Sequence, residues 1–143
     1  MFRKINDSLY VSPQIDVAEV AEAARLNVRL IVNNRPEGEA DDQTPGAEIE
    51  QAARDAGIAY LAIPVTHAGF SEWQVTAMAE ALADADGAVL AYCRSGTRST
   101  LLWSLAQASL GGNPAQIASQ AAQAGYDISP VRPQVDMLSA GRG

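Results

Sequence analysis

The spacing of apolar residues changes period several times along this chain, and each change marks an element. Residues 8–12 (SLYVS) read as a short strand. Residues 16–27 place Val17, Val20, Ala21 and Ala24 at helical spacing behind Asp16, whose side chain suits an N-cap. Residues 28–34 (VRLIVNN) form a β-branched run that ends in turn formers, and 36–46 form a polar loop with no core to offer. A helix over 47–57 is closed by Gly57, and a strand over 58–65 stops near Pro64. Residues 71–87 are helical, with Ser71 as N-cap and Gly87 just past the end. Residues 88–93 (AVLAYC) are a nearly unbroken apolar strand. Helices follow over 97–111 and 113–125, the second with Asn113 as cap and Pro114 at its first position, and 134–140 add a last helical turn.

Alternating strands and helices predict an α/β fold: a mostly parallel sheet of four or five strands with helices on both faces, in one domain spanning 1–143. A strand apolar on both sides, such as 88–93, is predicted at the centre of the sheet. In such sheets ligands bind beyond the carboxyl ends of the strands, and Cys93 falls there, just before a helix.

Composition narrows the function classes. The net charge of −7, from 17 acidic and 10 basic side chains, weighs against nucleic acid and against anionic membrane surfaces as partners. No apolar run is long enough for a membrane span or a signal peptide. The single cysteine rules out an intrachain disulfide and a cysteine-rich zinc site. A lone reduced thiol fits the cytoplasm, and no metal or cofactor is expected.

That cysteine opens the segment Cys93-Arg94-Ser95-Gly96-Thr97-Arg98, which runs from strand to helix. A helix N-terminus offers unpaired N–H groups and a partial positive charge. Gly96 lets the backbone curl so that successive N–H groups converge, and an arginine adds a planar donor fork. A thiolate is favoured in the same field, so Cys93 is predicted to be a nucleophile facing a small tetrahedral oxyanion. Arg98 is the predicted oxyanion clamp. Arg94, Ser95, Gly96, Thr97 and Ser99 are candidate substrate contacts, Ser99 through a hydrogen bond to the sulfur.

Cys-x-x-Gly-x-Arg-Ser after an apolar strand resembles the active loops of two groups of cysteine enzymes. Tyrosine and dual-specificity phosphatases have five residues between Cys and Arg, and rhodanese-type sulfurtransferases often have four. This chain has four. Its framework, "INDSLYVSPQ", "VRLIVNNRPEGE", "GIAYLAIPV" and "VLAYC" in that order, resembles dual-specificity phosphatases. Over about residues 2–110 it resembles the bacterial family called beta-lactamase hydrolase-like protein, phosphatase-like domain, whose members are also labelled sulfur transferases. The resemblance implies a cysteine phosphatase-like α/β fold. It also implies a persulfide-handling or sulfide-oxidising enzyme as partner.

The chain departs from the phosphatase pattern in two places. There is no aspartate from Ala59 to Ala83, where that pattern carries its general acid, and Tyr92 stands where a histidine usually precedes the nucleophile. His67 and Glu72 are the candidate acids; an imidazole suits proton transfer near neutral pH, whereas a glutamate in a first helical turn more often serves the helix dipole. Arg35 and Glu37 read as a structural ion pair, and Trp73 and Trp103 as core or rim packing. A missing acid and a short loop place sulfur transfer first, through a Cys93 persulfide drawn from thiosulfate or a persulfide and passed to a thiol or other acceptor. Phosphate-ester hydrolysis through a phosphocysteine comes second, and a binding module for an anionic ligand third.

Overall fold

The computed structural model describes residues 2–142. Five strands, β1 (Arg3–Asn6), β2 (Leu9–Ser12), β3 (Val28–Asn33), β4 (Ala59–Ala62) and β5 (Ala88–Tyr92), form one sheet in the order β1-β2-β5-β3-β4. β1 and β2 are antiparallel; every other pairing is parallel. β5 is the middle strand, as its apolar run predicts, and all five of its residues are buried.

The pleat sends successive β5 side chains to opposite faces. Ala88, Leu90 and Tyr92 join one core with Ile31, Ile49 and Ala53, under α1 (Val17–Arg25) and α2 (Gly46–Asp55). Val89 and Ala91 join the other, under α3 (Glu72–Asp84), α4 (Thr97–Ser109), α5 (Pro114–Gln123) and α6 (Arg132–Arg142). α4 runs through the middle of this second layer, and Trp103 is fully buried there. Trp73 is not packed in this way: it stands on the surface, 56% exposed.

Local chemistry sets the element ends. Asp16 caps α1, accepting from Glu19 N at 2.9 Å, and Asn113 caps α5, accepting from Gln116 N at 3.0 Å. Two elements exceed the sequence expectation. β1 was not evident because only Ile5 of its four residues is buried. Where a last turn over 134–140 was expected, α6 extends from Arg132 to Arg142; Pro133 sits in its first turn, where a missing N–H costs nothing.

This topology positions the site. β5 enters between β2 and β3, so the loops after three adjacent parallel strands meet at one edge of the sheet. Cys93 N donates to Ser12 O at 3.3 Å and Asn34 N to Tyr92 O at 2.8 Å, locking the end of β5 to both neighbours.

Candidate active site

Cys93 is the first residue beyond β5 and is fully buried. The chain then bends sharply. Gly96, in the left-handed region at φ 93°, caps α4, and its N–H turns back to donate to Cys93 Sγ at 3.1 Å. Ser95 Oγ stiffens the bend, accepting from Thr97 N at 3.4 Å and donating to Thr97 Oγ1 at 3.1 Å. Among the described residues, the amides of Arg94, Ser95, Arg98 and Ser99 have no acceptor. These are the orphan donors of the loop that follows the nucleophile candidate and of a helix start, free for an anion.

Arg98 completes the cradle. Of its five N–H donors, Nη1 spends two, on Glu39 Oε2 at 2.7 Å and on Val65 O at 2.7 Å, and Nη2 spends one on Glu39 Oε1 at 2.9 Å. The two that remain, on Nε and Nη2, share one edge of the guanidinium plane and form a fork that matches two oxygens of a tetrahedral anion. Sequence reasoning missed Glu39, which lies 59 residues from Arg98 in the polar loop. Its Oε1 also accepts from Arg35 Nε at 3.0 Å, and Arg35 Nη1 donates to Gln14 Oε1 at 3.0 Å. The expected Arg35–Glu37 pair is therefore corrected: Arg35 pairs with Glu39, and Glu37 instead accepts from Gly46 N at 2.9 Å, at the start of α2.

Hydrogen bonding from Arg98, with that from Arg35, outweighs partial burial and holds the Glu39 carboxyl at about 2, against an ordinary 4.5. The folded state thus binds this proton less readily than the unfolded state. The resulting stability is fully present above about pH 4.5 and is lost as pH falls toward 2. Glu39→Gln should therefore be less stable than the parent at pH 6, with the gap closing between pH 4.5 and 2; thermal midpoints of both proteins across that range check it.

Ser99 does not reach the sulfur. It is fully buried, and its one hydroxyl proton goes to Asn34 Oδ1 at 2.8 Å, while Asn34 Nδ2 donates to Ile63 O at 2.9 Å. The expected bond from its side chain to the sulfur is corrected on that ground: Ser99 and Asn34 pin α4 to the ends of β3 and β4, and only the Ser99 backbone N–H stays open to an anion. Arg94 is exposed at the rim, as are the Ser95 and Thr97 side chains. His67 is exposed in a turn closed by Gly69 N to Thr66 O at 3.3 Å, two residues beyond the Val65 carbonyl that Arg98 holds. Glu72, the first residue of α3, is also exposed. Tyr92 points to the opposite face of the sheet from the α4 core, with its hydroxyl buried and without a hydrogen-bond partner among the described residues. Burial, and then the charge of nearby Tyr60, push that phenol far up, so it is neutral throughout the working range.

Tyr126, in the segment after α5, was also missed. Its hydroxyl donates to Ser95 O at 3.0 Å, and a Cβ placed on Gly96 would overlap that hydroxyl. Gly96→Ala meets both this overlap and about 1–2 kcal/mol of left-handed backbone strain. It should lower the thermal midpoint and weaken binding of inorganic phosphate or vanadate, which calorimetry on the purified variant would measure.

A family model described as beta-lactamase hydrolase-like protein, phosphatase-like domain, matches residues 1–110. A beta-lactamase hydrolase-like protein of Xylella fastidiosa is 41% identical over 104 residues, and one of Agrobacterium fabrum is 32% identical over 105 residues. These alignments take in 72% and 73% of this chain but 24% of each relative, so the chain spans about a quarter of their length. Among solved structures, a candidate phosphatase of Neisseria meningitidis superposes with a TM-score of 0.81 at 33% identity, covering 95% of this chain and 96% of that one. PTPMT1 shares the fold at 11% identity, with a TM-score of 0.77 over 99% of this chain and 98% of its own.

Proposed function

The chain belongs to the phosphatase-like domain family of beta-lactamase hydrolase-like proteins, and on that premise we propose that it hydrolyses phosphate monoesters through a phosphocysteine on Cys93. The observation that carries the reading is the Gly96 N–H on the Cys93 sulfur, in a loop and helix start where four further amides and one edge of Arg98 have no protein acceptor. Those donors fit the three equatorial oxygens of a phosphoryl group in transfer.

The Cys93 thiolate attacks phosphorus, the ester P–O bond breaks, and the leaving oxygen takes a proton. Water then attacks the phosphocysteine, the P–S bond breaks, and inorganic phosphate and the thiolate are released. His67 is the better-placed proton donor, because its turn is anchored at Val65 to Arg98. The same imidazole takes a proton from the attacking water in the second step. Glu72 caps the start of α3 electrostatically.

The likenesses are to phosphatase-like proteins, and this reverses the order of the two enzyme readings drawn from sequence. One observation still favours sulfur transfer as the second reading: among the described residues, no carboxylic acid is hydrogen-bonded at the loop that holds His67, and persulfide exchange needs none because its leaving group departs unaided. In that reading Cys93 takes the outer sulfur of thiosulfate, releases sulfite, and passes the sulfur to an acceptor thiol.

The discriminating experiment is side-by-side turnover of an aryl phosphate and of thiosulfate with cyanide. Phosphate release that outpaces thiocyanate formation supports hydrolysis; the reverse order supports sulfur transfer.

A further inference from the structure

The Ser95–Gly96 peptide is one planar, trans unit, so its C=O and N–H point in opposite directions. Each end has a partner. The Ser95 carbonyl accepts from the Tyr126 hydroxyl at 3.0 Å, and the Gly96 N–H donates to Cys93 Sγ at 3.1 Å. Gly96 sits at φ 93°, where a glycine tolerates rotation of the preceding peptide, so the local sequence does not choose between the two orientations. In the opposite orientation the carbonyl dipole would face the sulfur and any bound oxyanion, which it repels.

We propose that Tyr126 is the positioning residue that makes this choice: its hydroxyl holds the Ser95 carbonyl outward, and thereby aims the Gly96 N–H at the nucleophile. The proposal rests on the reading of Cys93 as nucleophile.

Tyr126 is itself rigidly aimed. Gly125, at φ 94°, ends α5 with its N–H on Ala122 O at 3.0 Å, while Tyr126 N donates to Ala121 O at 2.9 Å. These two bonds are the helix-ending pattern that turns the chain sharply and fixes the next side chain. Arg3, on β1, lies over the Tyr126 ring at 5.2 Å from its centroid and donates from Nη1 to Ala124 O at 3.1 Å. The antiparallel edge strand therefore braces the tyrosine that braces the loop. Burial raises the phenol's pKa, Arg3 opposes that shift and the Cys93 sulfur adds to it, so the hydroxyl stays protonated and keeps its donor role.

Tyr126→Phe tests this, because it keeps the ring, the Arg3 contact and the packing and deletes one hydroxyl. The readouts are the rate of Cys93 alkylation by iodoacetamide at pH 7, the kinetic constants on an aryl phosphate, and the thermal midpoint. The expected result is alkylation slowed about tenfold, the scale of one hydrogen bond. kcat should fall by a similar factor with KM little changed, at a thermal midpoint close to the parent's. Arg3→Ala should move alkylation in the same direction by a smaller factor. Tyr126→Phe alkylated at the parent's rate would overturn this proposal and leave the nucleophile reading intact. A parent protein inert to iodoacetamide would overturn both.

Discussion

Cys93→Ser should abolish turnover of every substrate while leaving the fold intact. Serine fills nearly the same space beyond β5, so the packing that buries Cys93 is kept and the thermal midpoint should stay near the parent's. A serine hydroxyl, however, ionises far less readily than a thiol, and among the described residues the sulfur's hydrogen-bond partner is the Gly96 N–H, a donor rather than a base. Losing a covalent nucleophile should therefore lower kcat by on the order of 10⁴-fold or more. Binding should survive, because the loop amides and Arg98 are untouched. Phosphate or vanadate titrated into Cys93→Ser should bind with an affinity near the parent's, and this separates loss of chemistry from loss of the site.

Arg98→Lys should be the second most damaging change. Lysine keeps the charge but has no planar fork, so it cannot hold Glu39 on one edge and an oxyanion on the other. Arg98 makes three hydrogen bonds to Glu39 and Val65, and an ammonium on a flexible stem cannot span both carboxylate oxygens in the same geometry. Removing preorganised oxyanion donors costs roughly 10²–10³ in kcat. kcat/KM for an aryl phosphate should fall on that scale, with weaker phosphate binding by calorimetry. An unchanged kcat/KM would mean that the free edge of Arg98 does not meet the substrate. Arg35 still pairs with Glu39 in this variant, so the acidic loop should stay docked.

What the sequence shows of this site follows from how local each feature is. The apolar run 88–93, the cysteine at its end, the glycine and the second arginine lie within eleven residues of one another, and one strand-to-helix turn brings them together. Their chemistry is legible because strand, loop and helix start are each specified by neighbours in the chain. Glu39 and Tyr126 were not legible, since their partners Arg98 and Ser95 lie 59 and 31 residues away. Only the packing of the polar loop and of the α5 end against the sheet edge selects them. The partner of the Ser99 hydroxyl is illegible for the same reason: a place in the first helical turn allows a bond to the sulfur or none, and Asn34, 65 residues away, takes its proton. β1 is hidden by its length and by its single buried residue, Ile5. The Asn6 side chain, which accepts from Ser8 N at 2.8 Å, marks the turn into β2 and was the available clue.

The central claim is that Cys93 carries the phosphoryl group. The most direct test is intact-mass measurement of enzyme mixed with an aryl phosphate and quenched in acid within its first turnovers. The account expects one phosphoryl group on the peptide that contains Cys93, absent from Cys93→Ser and decaying as inorganic phosphate appears. A protein that stays unphosphorylated at every time, yet gains one sulfur atom on Cys93 from thiosulfate, would contradict it.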